Sequence, residues 1–230
     1  MSPRVRAYYY CVVGSGLFLF SNGVTQFTPS DFQQFFAYFA LGMLSATWRV
    51  KVPGVPVNVS PVFAFVLIGI ANYSLGEALV IGCGATLVQC MWKPDEKRET
   101  RKILFNVSAV AIGVTIAYNP SHFVLSESLY HAPRMLPIAA LVFFIVNTGL
   151  VSGMIALVEQ EAFRALWRNM TQYLIWYYVA GGLLATMIIV ANRLGGWQAG
   201  IFITPFLYLA YQYYREYLRR RGPSRGALRA

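Results

Sequence analysis

Residues 135–157 read MLPIAALVFFIVNTGLVSGMIAL, a run with no charged side chain. Coiled at about 1.5 Å per residue, it reaches roughly 35 Å, more than the roughly 30 Å hydrocarbon layer of a bilayer. Helices of soluble domains rarely stay uncharged for so long, so this stretch reads as a membrane-crossing helix. Seven further apolar stretches flank it, at about 7–24, 31–48, 58–74, 75–92, 103–119, 173–191 and 197–215. The fold expected from them is all-α, a polytopic transmembrane helix bundle of about eight spans. It would occupy residues 1–218, with a basic cytoplasmic tail at 219–230. Spans three, four and five are short and rich in Gly, Ser and Asn, so they are expected to be shielded by other helices rather than ringed by lipid.

The basic residues test this division. Arg4 and Arg6 precede span one, and Arg49 and Lys51 follow span two. Lys93, Lys97, Arg98, Arg101 and Lys102 lie between spans four and five, and Arg164 and Arg168 between six and seven. Arg215, Arg219, Arg220, Arg221, Arg225 and Arg229 follow span eight. These seventeen fall on one side, whereas only Arg134 and Arg193 fall on the other. Cytoplasmic loops carry the excess of Lys and Arg, so both termini are expected in the cytoplasm of a bacterial inner membrane protein.

Composition agrees. Of 230 residues, 57% are hydrophobic and 12% charged, against about a quarter charged in soluble domains. Mean hydropathy is +0.50. The net charge of +10 sits between and beside apolar spans, which suits attraction to anionic lipid of the cytoplasmic leaflet. No basic face with interleaved aromatics forms a foldable soluble unit, so nucleic acid is not an expected partner. Cys11, Cys83 and Cys90 lie inside apolar spans. Cys83 and Cys90 would stand about 10 Å apart along a helix, too far for a disulfide. The first apolar run lacks a small-residue cleavage site and reads as a retained span rather than a secretory signal.

Few residues could carry chemistry. Glu77 is the carboxylate inside the body of a span, near its outer end, where ionisable groups usually face a bundle interior or a water-filled cavity. With Asn72, Gln89, Asn106 and Asn147 it forms the candidate ligand-binding set. The alternative for Glu77 is a capping box with Ser74, whose Ser-x-x-Glu spacing fits, and the amides could instead join helices. Pro205 should kink span eight. Below it, Tyr208, Tyr211, Tyr214 and Tyr217 form a stripe that is either an interface belt or a relay and dimer surface. Residues 159–170 carry Phe163, Leu166, Trp167 and Met170 at helical spacing and read as an amphipathic helix at the interface. Gly149 with Gly153 and Gly196 with Gly200 would allow close helix approach. The outer loop 119–134, with His122, His131 and Glu127, lacks a third strong metal ligand and reads as a lid. No nucleotide-binding loop, nucleophile elbow or zinc-protease motif occurs. No enzyme activity, cofactor or metal is therefore expected.

Several short runs have a familiar look. They are Trp48-Arg49-Val50-Lys51-Val52-Pro53-Gly54-Val55, Leu75-Gly76-Glu77-Ala78-Leu79, Leu87-Val88-Gln89-Cys90-Met91-Trp92-Lys93, Leu104-Phe105-Asn106-Val107 and Tyr208-Leu209-Ala210-Tyr211-x-x-Tyr214. Over about residues 5–218 the chain resembles bacterial membrane-associated sensor modules of the MASE type. In that family the last helix leads into a cyclic-di-GMP output domain, a diguanylate cyclase or an HD-GYP phosphodiesterase. Here the chain stops at Ala230, so the expectation is a stand-alone sensor. It would bind a small or lipophilic ligand within the bundle and signal through span eight to a cytoplasmic partner or a second copy. The alternative is a small-molecule transporter or the substrate-binding membrane subunit of one, since short Gly-rich spans suit a polar midplane site.

Overall fold

The computed structural model describes residues 2–29, 31–51, 58–92, 99–123 and 132–221. The outer loop expected as a lid, with His131 and Glu127, lies partly outside the described residues, as does the tail beyond Arg221. The chain divides into two compact units, residues 1–187 and 188–230.

Among the described residues the chain is helical, with one two-residue antiparallel ladder. Its elements are α1 (Pro3–Val24), α2 (Phe32–Ala46), β1 (Val50–Lys51), β2 (Asn58–Val59), α3 (Val62–Asn72), α4 (Leu75–Met91), α5 (Thr100–Phe123), α6 (Ala132–Glu159), α7 (Phe163–Gly195), α8 (Trp197–Ile201) and α9 (Ile203–Arg221). Three stretches are long and apolar enough to cross a membrane: Thr100–Asn119, Leu136–Glu159 and Phe163–Gly195. The segment expected as a separate interfacial helix begins a single long helix, α7.

The helix ends follow local chemistry. Pro3 opens α1 behind Ser2, whose side chain accepts from the Val5 amide, so the missing proline N–H costs nothing there. Asp31 caps α2 through the Gln34 amide at 3.0 Å. α6 stops at Gln160, which adopts φ 59, and the Glu161 amide donates to Ala156 O at 3.1 Å. This is the six-to-one bond of a Schellman ending.

Residues 62–70 of α3 are all buried, so this helix lies inside the first unit. Burial then falls outward: 56% of the α5 span is buried, against 28% for α6 and 33% for α7. α3, α4 and α5 are thus shielded by their neighbours. α1, α6 and α7 carry the outward apolar surface, including Phe18, Leu141, Ile145, Trp176 and Leu183. Water does not tolerate such a belt of large apolar side chains, whereas lipid does.

Lipid tails are as apolar as leucine, so close packing rather than water exclusion must hold the helices together. α1 meets α5 at Gly16, where a Cβ would stand 2.5 Å from Ser108 Cβ and 2.6 Å from its Cα. Only glycine permits that approach. Of the Gly149–Gly153 pair, a Cβ at Gly153 would stand 2.6 Å from the Tyr8 hydroxyl, whereas one at Gly149 would meet nothing within 4 Å. In the second unit, Gly196 at φ +79 leads into α8. α8 and α9 are separated at Phe202. Pro205 explains this interruption, since it has no N–H for Ile201 O and its ring crowds that carbonyl.

Candidate functional site

α3, α4, α5, α6 and α7 line a half-open cavity of about 1130 Å3 in the first unit. Pockets for drug-sized molecules span roughly 300–1,000 Å3, and this space exceeds that range. Much of the wall is apolar, from Phe63, Val66, Val110 and Phe143. Three of the five candidate ligand residues, Gln89, Asn106 and Asn147, lie in this wall.

Each amide is placed by the helix packing. Gln89 and Cys90 occupy the last turn of α4. Asn106 Nδ2 donates to Cys90 Sγ at 3.5 Å, and one heptad earlier the Cys83 thiol donates to Val107 O at 3.7 Å. Both cysteines therefore face α5, and both are free thiols. Across the cavity, Asn147 Nδ2 donates to the Tyr178 hydroxyl at 3.1 Å, tying α6 to α7. The Tyr178 ring stands edge-on to Phe63 at 4.5 Å. Tyr177 donates to Ser60 O at 2.7 Å, satisfying a carbonyl of the non-helical lead into α3, as buried backbone in a membrane requires.

Other wall residues escape a reading of sequence. Thr86 donates to Gly82 O at 2.8 Å and Thr148 to Phe144 O, so both hydroxyls bond back to their own helices. Tyr177 and Tyr178 look like span residues in a linear reading. Their signal is a pair of hydroxyls in mid-span that need partners at depth. Charged wall residues come from one end of the helices: Arg49 after α2, Glu99 just before α5, Arg101 and Lys102 in its first turn, and Glu159 at the end of α6. Lys102 and Glu99 pair at 3.1 Å.

Asn72 and Glu77 are not in this wall. Asn72 is an exposed residue at the end of α3. Glu77 is 2% exposed and completes a capping box at the start of α4. Its Oε2 accepts from the Ser74 amide at 2.9 Å and the Ser74 hydroxyl at 2.7 Å, while its own amide donates to Ser74 Oγ at 3.4 Å. Its Oε1 is buried without a hydrogen-bond partner. Beside this cap the Tyr118 hydroxyl donates to Tyr73 O at 3.3 Å.

In the second unit, Pro205 is the third residue of α9. Tyr208 and Tyr211 place their ring centroids 6.3 Å apart, and Gln212 donates to the Tyr208 hydroxyl. Tyr214 belongs to α9, but its side chain lies outside the described ones. Among the described residues, no three His, Cys, Asp or Glu side chains form a metal-binding group.

No curated protein and no solved structure matches the chain. The MASE9 family model matches residues 23–216, and the chain belongs to this family of membrane-associated sensor domains, which is not a family of enzymes.

Proposed function

We propose that this protein is a multi-pass sensor of the bacterial inner membrane that binds a small or lipophilic ligand in the α3–α7 cavity. The observation that carries the reading is the convergence of Gln89, Asn106 and Asn147 on one cavity of about 1130 Å3. An amide carries more donors and acceptors than one interhelical bond uses, so three of them around a largely apolar space suit an occupant that offers hydrogen bonds. Family membership supports sensing.

The topology we propose has eight crossings and both termini in the cytoplasm. α3 alone spans only about 16 Å. The extended residues 58–59 before it add roughly 7 Å, so this crossing falls short of the hydrocarbon thickness and depends on cover by its neighbours. The charged wall residues then mark the cytoplasmic end, where anionic lipid would meet the basic loops.

Signalling requires a ligand that prefers one of two helix arrangements. The Asn147–Tyr178 bond between α6 and α7 lies in the cavity wall, so an occupant competing for that amide would loosen the tie. Pro205, Tyr208, Tyr211 and Tyr214 on α9 are the proposed relay to a cytoplasmic partner or a second copy. Native mass spectrometry of protein extracted in mild detergent tests the reading. A bound amphiphile on the wild type that is lost from Ile155→Trp supports it. Bare protein in both cases contradicts it. Net uptake of that amphiphile by proteoliposomes would mark a transporter instead.

A further inference from the structure

We propose that Glu77, with Tyr73 beside it, is a proton-binding switch at the start of α4, the opposite end of that helix from Gln89. It is independent of the ligand cavity.

The cap does not use the whole Glu77 carboxyl. Ser74 occupies Oε2 with two hydrogen bonds, whereas Oε1 is buried with no partner. The Tyr73 hydroxyl is also buried without a partner. It lies within electrostatic reach of Glu77, as does that of Tyr118. Gln34 stands beside Tyr73 but outside hydrogen-bond geometry. Two unpartnered oxygens thus share the corner where α3 gives way to α4.

Each element packed on this corner can be searched for titratable groups. The end of the first helix lies over it, where a Cβ on Gly76 would stand 2.7 Å from Phe27 N and 2.9 Å from Gly23 O. Neither Gly23 nor Phe27 titrates. α2 contributes Phe35 and Tyr38, with ring centroids 6.1 Å and 6.5 Å from that of Tyr73. Asp31, at the head of α2, is exposed and caps that helix. Tyr73 follows α3, and α5 brings Tyr118, whose hydroxyl donates to Tyr73 O. Among the described residues, the titratable groups around Glu77 are therefore three phenols and a carboxyl, all of them acids.

Two tendencies oppose each other here. Burial among rings and acids disfavours a charged carboxylate far more than a neutral one. The Ser74 bonds and the positive end of the α4 dipole favour the charge. The two forms therefore lie close in energy, and the acidity of the medium selects between them. Rearranging hydrogen bonds leaves the charge in place, whereas a proton taken from hydronium removes it. That proton goes onto Oε1, which becomes a donor, and the Tyr73 oxygen is the acceptor at hand. Oε2 keeps its bonds from Ser74. Uptake draws Tyr73 toward α4, together with the Tyr118 bond that α5 makes to it.

Infrared difference spectra of the full chain in nanodiscs test this, taken between about pH 8 and about pH 5, where exposed carboxyls stay largely ionised. Wild type should gain the carbonyl band of a neutral carboxylic acid on acidification. Glu77→Gln should lack that band, and Tyr73→Phe should show it at a shifted frequency. Glutamine imitates the neutral acid, so the thermal midpoints of wild type and Glu77→Gln should differ by about 2–4 °C more at one pH than at the other. No band, or a band that survives in Glu77→Gln, overturns the proton site. An unshifted band in Tyr73→Phe overturns the part given to Tyr73, and a midpoint difference constant with pH overturns the switch. Tyr73→Phe leaves Glu77 itself untouched, so its frequency shift decides the matter even where Glu77→Gln does not fold.

Discussion

The Asn147 amide donates to the Tyr178 hydroxyl at 3.1 Å, joining the outward-facing helices α6 and α7 through the wall of the cavity. Interhelical hydrogen bonds in membranes contribute roughly 0.6–2 kcal/mol. Asn147→Leu and Tyr178→Phe should each destabilise the protein by about 1 kcal/mol. The double variant should cost less than the sum, because the second change removes a partner already lost. Denaturation in mixed micelles measures all three, and strict additivity would show that the two groups do not interact.

Ser74 and Glu77 form a reciprocal cap on α4. Glutamine serves at the same position of a capping box, so Glu77→Gln should fold with near-normal stability. Ser74→Ala and Glu77→Ala should each lose about 1 kcal/mol. The thermal midpoint separates these outcomes. A severe loss for Glu77→Gln alone would mean that the negative charge itself, rather than the cap, is what Glu77 supplies.

Gly16 and Gly149 make opposite predictions from the same substitution. A Cβ at Gly16 would stand 2.6 Å from Ser108 O, whereas one at Gly149 would meet no other part of the structure within 4 Å. Gly16→Ala should destabilise by about 1–3 kcal/mol through overpacking. Gly149→Ala should be neutral or stabilise by up to about 1 kcal/mol through helix propensity. Equal effects at both sites would contradict the α1–α5 contact.

Gln160 ends α6 with φ 59, a conformation that costs an L-residue about 1–2 kcal/mol. Gln160→Gly should therefore raise stability by up to about 1 kcal/mol. A fall in the melting temperature would argue against this backbone.

Much of this architecture was legible in the sequence because membrane helices announce themselves by apolar length. The stretches at 103–119, 135–157 and 173–191 lie within α5, α6 and α7. The reading of 58–74 as one span was coarser than the structure, which has an extended lead and a helix of only eleven residues. Such a short helix gives no length signal and depends on burial by its neighbours. Of the candidate site, Gln89, Asn106 and Asn147 stood out because amides are conspicuous at depth. Their grouping apart from Asn72 and Glu77 was not legible, because no linear spacing encodes which helix faces meet. Tyr177 and Tyr178 were hidden for a related reason, since tyrosine is common near membrane interfaces and only the structure shows these two hydroxyls bonded inside.

An experimental density map of the protein in lipid nanodiscs tests the ligand cavity most directly. Added density between α3 and α7, in reach of Asn106 and Asn147, is the expected result. Helices collapsed onto one another there, with Phe63 and Phe143 filling the space and no added density, would contradict it.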